Sequence, residues 1–185
     1  MTEIHPYNDH TSIPKATRLL IIGTAPPKRF SKPRPAGWRP SNGDIDFYYG
    51  SKDNQLWQIL FSDAFASGTK PSVDDLRTFL KSRRIWMHDI YQKYTREKEG
   101  ALDKDLKISE ATDLEQLFRD QPEVDTIVFT GRDAENKFGK EIERTLIKQY
   151  SFWQGGMRNK PLPRERNLTF LIREKPRKIT TYTLP

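Results

Sequence analysis

The chain has 185 residues, a length that is enough for one compact domain with a packed core. Hydrophobic residues make up 35% and aromatic residues 11%, and this composition excludes a disordered chain. Lysine and arginine number 32 against 25 aspartates and glutamates, and the resulting net charge of +7 is also that of an ordinary soluble surface. The basic residues cluster along the chain, and one basic face of this kind suits a polyanionic partner. Cysteine is absent, which excludes disulfides, thiol catalysis and iron–sulfur clusters.

The first predicted element is a buried strand followed by a long loop. The apolar run Arg18–Ile22 ends at Gly23, a pattern typical of a strand inside a sheet. Residues 24–50 show no periodicity and are rich in proline, glycine and aromatic residues, so we expect a loop. Loops of this length in small domains are usually functional or disordered. This loop carries five basic residues and no acidic one between Lys28 and Pro40.

Two helices are expected after this loop. Asp53 is placed to cap a helix over residues 54–65. Its core-facing side chains are expected to be Leu56, Ile59, Leu60 and Trp57. Ser72 and Asp75 form the pattern of a capping box, which predicts a second helix to about Ser82.

The middle of the chain predicts a second buried strand over residues 84–91, followed by a charged loop over residues 92–108. We expect His88, inside this strand, to be a satisfied buried histidine rather than a general acid. Thr112 and Glu115 have the spacing of another capping box, for a helix that ends before Pro122.

The last third alternates strand and helix in the same way. Residues 126–130 predict a third strand that ends at Gly131, and an amphipathic helix follows over residues 134–150. The last two strands are expected over residues 168–172 and 179–184, joined by a basic turn. This order predicts an α/β fold, a three-layer α/β/α sandwich around a mainly parallel four- to five-stranded sheet. In such sheets, ligands bind at the carboxyl ends of the strands.

Membrane and export signals are not evident in the sequence. No apolar run approaches the length that spans a membrane, and residues 1–14 lack the apolar core of a signal peptide. We expect a cytoplasmic monomer with a single domain over residues 1–185.

Four segments, in order along the chain, resemble motifs of the uracil-DNA glycosylase superfamily. The first is the turn Gly23–Pro27, and the second is the aromatic-to-tryptophan segment 47–57. The third is Ile85–Asp89, an apolar strand that ends in Asp, and the fourth is Val128–Ala134. The second segment matches the pattern Tyr-Ala-His-Pro-x-Asn-x-Phe-Trp of the mismatch-specific uracil and hypoxanthine glycosylases at Tyr49, Asn54 and Trp57.

This resemblance implies an enzyme that hydrolyses the N-glycosidic bond of a deaminated base, uracil or hypoxanthine, after the base is flipped out of DNA, with no metal or cofactor. Tyr49 would stack on the base, although it would also fit a core aromatic. Asn54 would orient a water molecule or bond the base, although it could instead cap a helix. Asp53 is a second candidate for activating the water.

The first motif implies a base pocket lined by Gly23, Thr24, Ala25 and Pro26, with Gly131 from the fourth motif. Many relatives carry Asn, Asp or Glu where this chain has Thr24 and Ala25, and neither of these can polarise water as a carboxylate does. Asp46 and Asp89 are reserve carboxylates, although both would also fit a surface or capping role.

Six arginines are expected to contact DNA phosphates, which would give salt-sensitive and sequence-independent affinity. They are Arg29, Arg34, Arg39, Arg158, Arg164 and Arg177. Trp38, in the same basic loop, could stack on a base or pack the loop down. Family members continue past the last strand with a loop that enters the minor groove, whereas the printed sequence stops at Leu184-Pro185.

Two alternatives therefore stay open. One is a catalytically inactive or weak nucleic-acid-binding relative of the same fold. The other is an unrelated α/β enzyme for a small molecule, which the lack of a Gly-x-Gly-x-x-Gly or Walker-type sequence disfavours.

Overall fold

A computed structural model describes most of the chain. The described residues are 1–60, 70–97, 106–145, 166–172 and 175–184. Within them the strands are β1 (Glu3–Ile4), β2 (Leu19–Gly23), β3 (Ile85–Asp89), β4 (Tyr91–Arg96), β5 (Leu106–Ala111), β6 (Thr126–Phe129), β7 (Arg166–Ile172) and β8 (Lys175–Thr183). The α-helices are α1 (Leu56–Leu60), α2 (Val73–Ser82), α3 (Leu114–Asp120) and α4 (Arg132–Thr145).

The main sheet has five strands in the order β3-β2-β6-β8-β7. The first four are parallel, and β7 pairs antiparallel with β8. Leu20, Ile21 and Ile22 of the central strand β2 are all buried, because a parallel strand covered on both faces is apolar on both sides. The predicted mainly parallel α/β sheet is confirmed.

The helices lie on both faces of this sheet. The chain passes from β2 through α1 and α2 to β3 on one side, then returns past β2 to β6 and β8 on the other. Because such crossovers are right-handed, the reversal puts α1 and α2 on one face and α3 with α4 on the opposite face. Phe118 of α3 and Phe138 of α4 pack edge to face, with ring centroids 6.4 Å apart. No helix in the described ranges is long and apolar enough to cross a bilayer.

The prediction of a loop over residues 92–108 was wrong where the structure describes it. β4 pairs antiparallel with β5 and β1 to form a second sheet of order β1-β4-β5. This strand buries Tyr91 and Tyr94, three residues apart, and the register of its pairing with β5 shifts between them. The irregularity removes the simple apolar–polar alternation that identifies a strand. Residues 98–105 lie outside the described part.

The helix predicted over residues 54–65 begins later, as α1, and residues 61–65 are not described. Leu56 and Trp57 are buried as expected, but Ile59 and Leu60 are 69% and 38% exposed. The predicted cap was also wrong, because Asp53 accepts a hydrogen bond from Arg29 instead. At the start of α1, the Oδ1 atom of Asn54 accepts a hydrogen bond from the amide of Leu56 at 2.8 Å.

The other helix predictions have mixed outcomes. The capping box of Ser72 and Asp75 is present at the start of α2, which ends at Ser82 as predicted. The cap of α3 is Asp113 rather than Thr112, whose buried hydroxyl donates to the carbonyl of Asp89 at 2.8 Å. The strand prediction over 126–130 is confirmed within one residue by β6, and β7 and β8 start before residues 168 and 179. The described part of α4 ends at residue 145, so the predicted extension to 150 lies outside it.

The long loop closes on itself just before α1. The amide of Ile45 donates to the carbonyl of Gly50 at 2.6 Å, and the amide of Gly50 donates to the carbonyl of Phe47 at 3.0 Å. A Cβ atom added at Gly50 would lie 1.9 Å from the carbonyl oxygen of Ile45.

Gly50→Ala should therefore force this turn apart and lower the free energy of unfolding by more than about 2 kcal/mol. Urea denaturation measures the change. Gly131→Ala is the matched control, since a Cβ atom there would meet nothing within 4 Å. Equal stability of the two variants would contradict the described turn.

Candidate active site

A cavity of about 320 Å³ lies outside the carboxyl ends of β2, β3 and β6. Because the chain leaves β2 toward one side of the sheet and β6 toward the other, this is the switch point where open α/β sheets bind ligands. Its volume falls within the range of small-molecule sites, about 300–1,000 Å³. The turn 24–27 and the segment 47–54 both line it, together with Asp89 and Thr130.

The wall of this cavity, called the base pocket below, is largely aromatic. Its aromatic side chains are His5, Tyr7, Phe30, Phe47, Tyr48 and Tyr49. Polar groups reach it from Thr24, Ser51, Asp53, Asn54, Asp89 and Thr130. An aromatic wall with a few convergent polar groups suits a flat heteroaromatic ligand.

Tyr49 connects the aromatic segment to the end of the sheet. Its hydroxyl donates to Oδ1 of Asp89 at 2.7 Å, and its ring stacks on Tyr48 with centroids 6.4 Å apart. Burial, and then the charge of Asp89, raise the pKa of the Tyr49 hydroxyl well above its usual value, so it remains a protonated donor. A Cβ atom at Gly23 would lie 2.3 Å from this hydroxyl, so the hydroxyl fits because residue 23 has no side chain.

Asp89 is a buried carboxylate at the innermost end of the pocket. Its Oδ1 accepts hydrogen bonds from Tyr49 and from the amide of Gly23 at 3.2 Å. Its Oδ2 lies 2.8 Å from Nε2 of His5. The amide of Tyr7 donates to Nδ1 of His5, so the proton of the ring is on Nε2 and is donated to Asp89. Burial acts to raise the pKa of Asp89, but the hydrogen bonds from His5 and Tyr49 outweigh it and hold the pKa below its usual value.

The N-terminal segment also fixes the backbone at the end of β3. The amide of Asp89 donates to Oδ1 of Asn8 at 2.8 Å, and Nδ2 of Asn8 donates back to the carbonyl of Asp89 at 2.6 Å. Neither His5 nor Asn8 was predicted from the sequence. Residues 1–14 have no periodicity, and they reach the site through the pairing of β1 with β4, which no local pattern indicates.

The two predicted catalytic residues lie at the mouth of the pocket. Asn54 is exposed, and its Oδ1 is engaged by the amide of Leu56, whereas its amide nitrogen has no hydrogen bond within the described ranges. The side chain of Asp53 is 70% exposed, and its Oδ2 accepts from Arg29 at 3.0 Å. Asn54 thus has the free donor, and the carboxylate of Asp53 is paired.

The predicted base-binding residues are brought close together, with one exception. Thr24, Ala25 and Pro26 line the pocket, and Gly23 lies beneath Tyr49. Gly131 does not line it, and the preceding Thr130 does. The roles of these residues in base binding stay predictions.

Two of the predicted phosphate contacts are ion-paired inside the long loop. Arg29 pairs with the buried Asp44 at 2.8 Å and with Asp53. Arg34 pairs with Asp46 at 2.9 Å and stacks on Trp38, with the guanidinium carbon 3.7 Å from the ring centroid. Trp38 therefore packs the loop, and its indole nitrogen donates to the carbonyl of Arg29 at 3.0 Å.

Among the other predicted phosphate contacts, Arg39 is exposed. Arg158 and Arg164 lie outside the described residues, and the side chain of Arg177 on β8 is not described. Contact of all six arginines with phosphate stays a prediction. No group of His, Asp or Glu side chains in the described ranges has the arrangement of a metal site.

Comparison with known proteins adds one result at the level of the fold. No family model and no curated protein matches the chain. It is similar to the solution NMR structure of a "putative Uracil DNA glycosylase" from Methanosarcina acetivorans, with 24% identity, 78% of each chain covered and a TM-score of 0.50. The two chains share one α/β fold.

His88 is fully buried on β3 and does not line the base pocket. Its Nε2 lies 3.3 Å from the hydroxyl of Thr112. Burial, assisted by the nearby His5 ring, lowers the pKa of His88 from 6.5 to about 3. The histidine is therefore neutral in the folded chain and takes up a proton when the chain unfolds in mild acid.

This difference predicts that the His88 contribution to stability is complete above about pH 6.5 and is lost as the pH falls from there toward about 3. Between about pH 7.5 and about pH 5 the wild type should lose about 2 kcal/mol more unfolding free energy than His88→Gln. Urea denaturation at the two pH values tests this. If the wild type and His88→Gln lose the same unfolding free energy between the two pH values, His88 does not cause the loss of stability in acid.

Proposed function

We propose that this chain is a DNA base-excision glycosylase that hydrolyses the N-glycosidic bond of a deaminated base, uracil or hypoxanthine, flipped out of DNA. The observation that carries the proposal is the convergence of the turn 24–27 and the segment 47–54 on one pocket. These lie in two of the four segments whose sequence resembles the superfamily. The fold shared with the protein described as a "putative Uracil DNA glycosylase" supports the same assignment.

The aromatic wall supports base binding. Flipping a base out of a duplex costs a few kcal/mol of stacking and pairing, and less at a mismatch. Stacking of a base on an aromatic side chain returns roughly 1–3 kcal/mol. Tyr49 offers its half-buried ring in the wall, the buried ring of Tyr48 stacks behind it, and the hydrogen bond to Asp89 fixes the Tyr49 ring in place.

The innermost part of the pocket favours a deaminated nucleobase. An ionised Asp89 can only accept hydrogen bonds, and among the described residues its Oδ2 atom has one donor, His5. Uracil at N3 and hypoxanthine at N1 carry an N–H donor, whereas cytosine and adenine have an acceptor at the same ring atom. An acceptor-only carboxylate therefore suits the first pair and repels the second.

In the proposed reaction, water adds to C1′ of the sugar, and the bond from C1′ to the base nitrogen breaks. The base leaves with the electron pair of that bond and takes up the proton that the water releases. The transition state resembles an oxocarbenium ion, and we assign its electrostatic stabilisation to the carboxylate of Asp53 at the mouth of the pocket, because Asp89 faces the base. Thr24 and Ala25 cannot act as a base, so we assign the orientation of the water to the free amide of Asn54.

A non-catalytic nucleic-acid-binding relative is the second candidate. Ala25 in the first motif supplies no polar side chain, and this favours the second candidate. A measurement of catalytic turnover distinguishes the glycosylase from the non-catalytic relative.

We expect the purified protein to release the base from oligonucleotides that contain uracil or hypoxanthine, and to leave undamaged DNA intact. Hot alkali cuts at the resulting abasic sites, so strand cleavage on a denaturing gel reports excision. Binding without cleavage on uracil, hypoxanthine and xanthine substrates would leave the second candidate.

Asn54→Ala should abolish excision, but it also removes the acceptor for the amide of Leu56, at a cost of about 1 kcal/mol. Asn54→Ser separates the two effects, because a serine oxygen can cap the helix and has no amide nitrogen. We expect Asn54→Ser to retain the melting temperature and to lose excision by at least about 100-fold. The exposed neighbour Gln55, changed to Ala, is the control. Wild-type activity of Asn54→Ser would remove Asn54 from the mechanism.

A further inference from the structure

His5 is a buried histidine whose partner is the carboxylate at the innermost end of the base pocket. None of its side chain is exposed, and its Nε2 atom lies 2.8 Å from Oδ2 of Asp89. The reaction steps proposed above do not use this ring. A buried donor that holds the acid facing the base can act on base binding through that acid, because hydrogen bonds are strong where water is excluded.

The position of the His5 ring is set by its backbone and by two aromatic neighbours. His5 directly follows β1, and its amide donates to the carbonyl of Gln92 in β4 at 2.9 Å. The ring lies 5.6 Å from that of Tyr48, centroid to centroid, and meets the ring of Tyr7 edge to face at 6.0 Å. The direction of Nε2 toward Asp89 is therefore fixed by packing.

The hydrogen bonds of the ring also fix which nitrogen carries the proton. The amide of Tyr7 donates to Nδ1 at 3.2 Å, so Nδ1 is an acceptor and Nε2 carries the proton. If the ring took up a second proton, Nε2 would still be protonated. His5 is therefore a donor to Oδ2 of Asp89 in either charge state of the ring.

The hydrogen bond from His5 opposes the effect of burial on Asp89. Burial raises the pKa of this carboxyl, and the hydrogen bond from His5 lowers it more than the one from Tyr49 does. Other titratable side chains that interact electrostatically with Asp89 are Tyr48, Tyr49, His88 and Tyr94. All four stay neutral between about pH 5 and about pH 8, since burial raises the pKa of each tyrosine and lowers that of His88 to about 3.

The charge state of Asp89 decides which hydrogen bond it offers to a base. Oδ1 already accepts from the hydroxyl of Tyr49 at 2.7 Å and from the amide of Gly23 at 3.2 Å, so a proton taken up by the acid would lie on Oδ2. The ionised acid accepts the N3–H of uracil. The neutral acid would instead donate to the unprotonated N3 of cytosine.

We propose that His5 determines the base preference of the pocket, because its Nε2–H keeps Asp89 an acceptor that binds uracil or hypoxanthine and rejects cytosine or adenine. His5 is a positioning residue, since it acts on the base through Asp89. This inference deepens the proposed function and rests on it. A site that offers the wrong hydrogen-bonding group leaves buried polar groups unpaired, and this is the strongest means of discrimination between similar ligands.

The test measures the binding of free uracil and free cytosine to the intact chain by ligand-observed NMR, at about pH 5.5 and about pH 8, where cytosine is mostly unprotonated. His5→Phe keeps an aromatic ring beside Tyr48 and removes the donor. His5→Gln supplies an N–H donor again. His10→Phe is the matched control, because His10 also lies beside a carboxylate, that of Asp120 at 3.6 Å, and does not line the base pocket.

We expect the wild type, His5→Gln and the control to prefer uracil at both pH values, with less than about a 3-fold change in the dissociation constant for uracil. In His5→Phe burial is no longer offset, so the pKa of Asp89 rises. Its dissociation constant for uracil should be on the order of 10-fold higher at the lower pH, and cytosine should bind more tightly there. A merely structural role of His5 would weaken both bases at both pH values.

The proposal fails if His5→Phe keeps the wild-type preference at both pH values, if it loses both bases equally, or if the wild type binds neither base. If His5→Phe has a lower melting temperature than the control, the wild type supplies a second measurement. The carboxyl ¹³C chemical shift of Asp89 in labelled protein should then show no titration between about pH 5 and about pH 8, and a titration in that range would overturn the proposal.

Binding of free bases requires neither DNA nor catalysis, so the two proposals are tested separately. A chain whose preference for uracil depends on His5 but that excises nothing loses the proposed function alone. A chain that excises uracil or hypoxanthine, and whose His5→Phe variant keeps the wild-type preference, loses the role of His5 alone.

Discussion

The site depends on one buried charge. Removing the Asp89 carboxylate from water would cost several kcal/mol if the anion had no partners. Its donors come from three separate parts of the chain: the imidazole of His5, the amide of Gly23 and the hydroxyl of Tyr49. Because all three must meet one carboxylate, the N-terminal segment, the first strand of the main sheet and the aromatic segment are fixed relative to one another.

The contacts of Asp89 account for two features that the neighbouring sequence does not explain: the backbone conformation of Tyr49 and the glycine at position 23. Tyr49 has a positive φ of 53°, a conformation that costs about 1–3 kcal/mol for a residue with a side chain. The hydrogen bond to Asp89 and the stacking on Tyr48 offset that cost. Gly23 is a glycine because a Cβ atom would occupy the position of the Tyr49 hydroxyl. The glycine of the first motif therefore makes room for a side chain from the second motif.

The parts of the fold that could be predicted from sequence are those whose cause is local. β2 is a continuous apolar run, and the capping box of α2 satisfies its own helix terminus within four residues. The hairpin of β4 and β5 could not be predicted, because its burial and its register are irregular. The start of α1 was missed because Arg29, 24 residues away, takes the carboxylate of Asp53.

The residues of the base pocket also differ in whether local sequence predicts them. The turn after β2 and the segment 47–54 were predicted from motifs that lie within each segment. His5 was not, because it acts on a residue 84 positions away through a pairing of strands that the sequence does not indicate. Asp89 was judged a reserve carboxylate for the same reason, since its burial and its donors depend on tertiary contacts.

The basic residues of the long loop show that the position of a charge in the sequence does not decide its use. Arg29 and Arg34 each bond a carboxylate through the planar guanidinium, a geometry that lysine cannot reproduce, and together they fix the loop against Asp44 and Asp46. Lys32, in the same stretch, has a flexible point charge that gains little from such a pair. Arg29 and Arg34 therefore neutralise acidic residues of the loop itself, whereas Lys32 makes no ion pair within the described ranges.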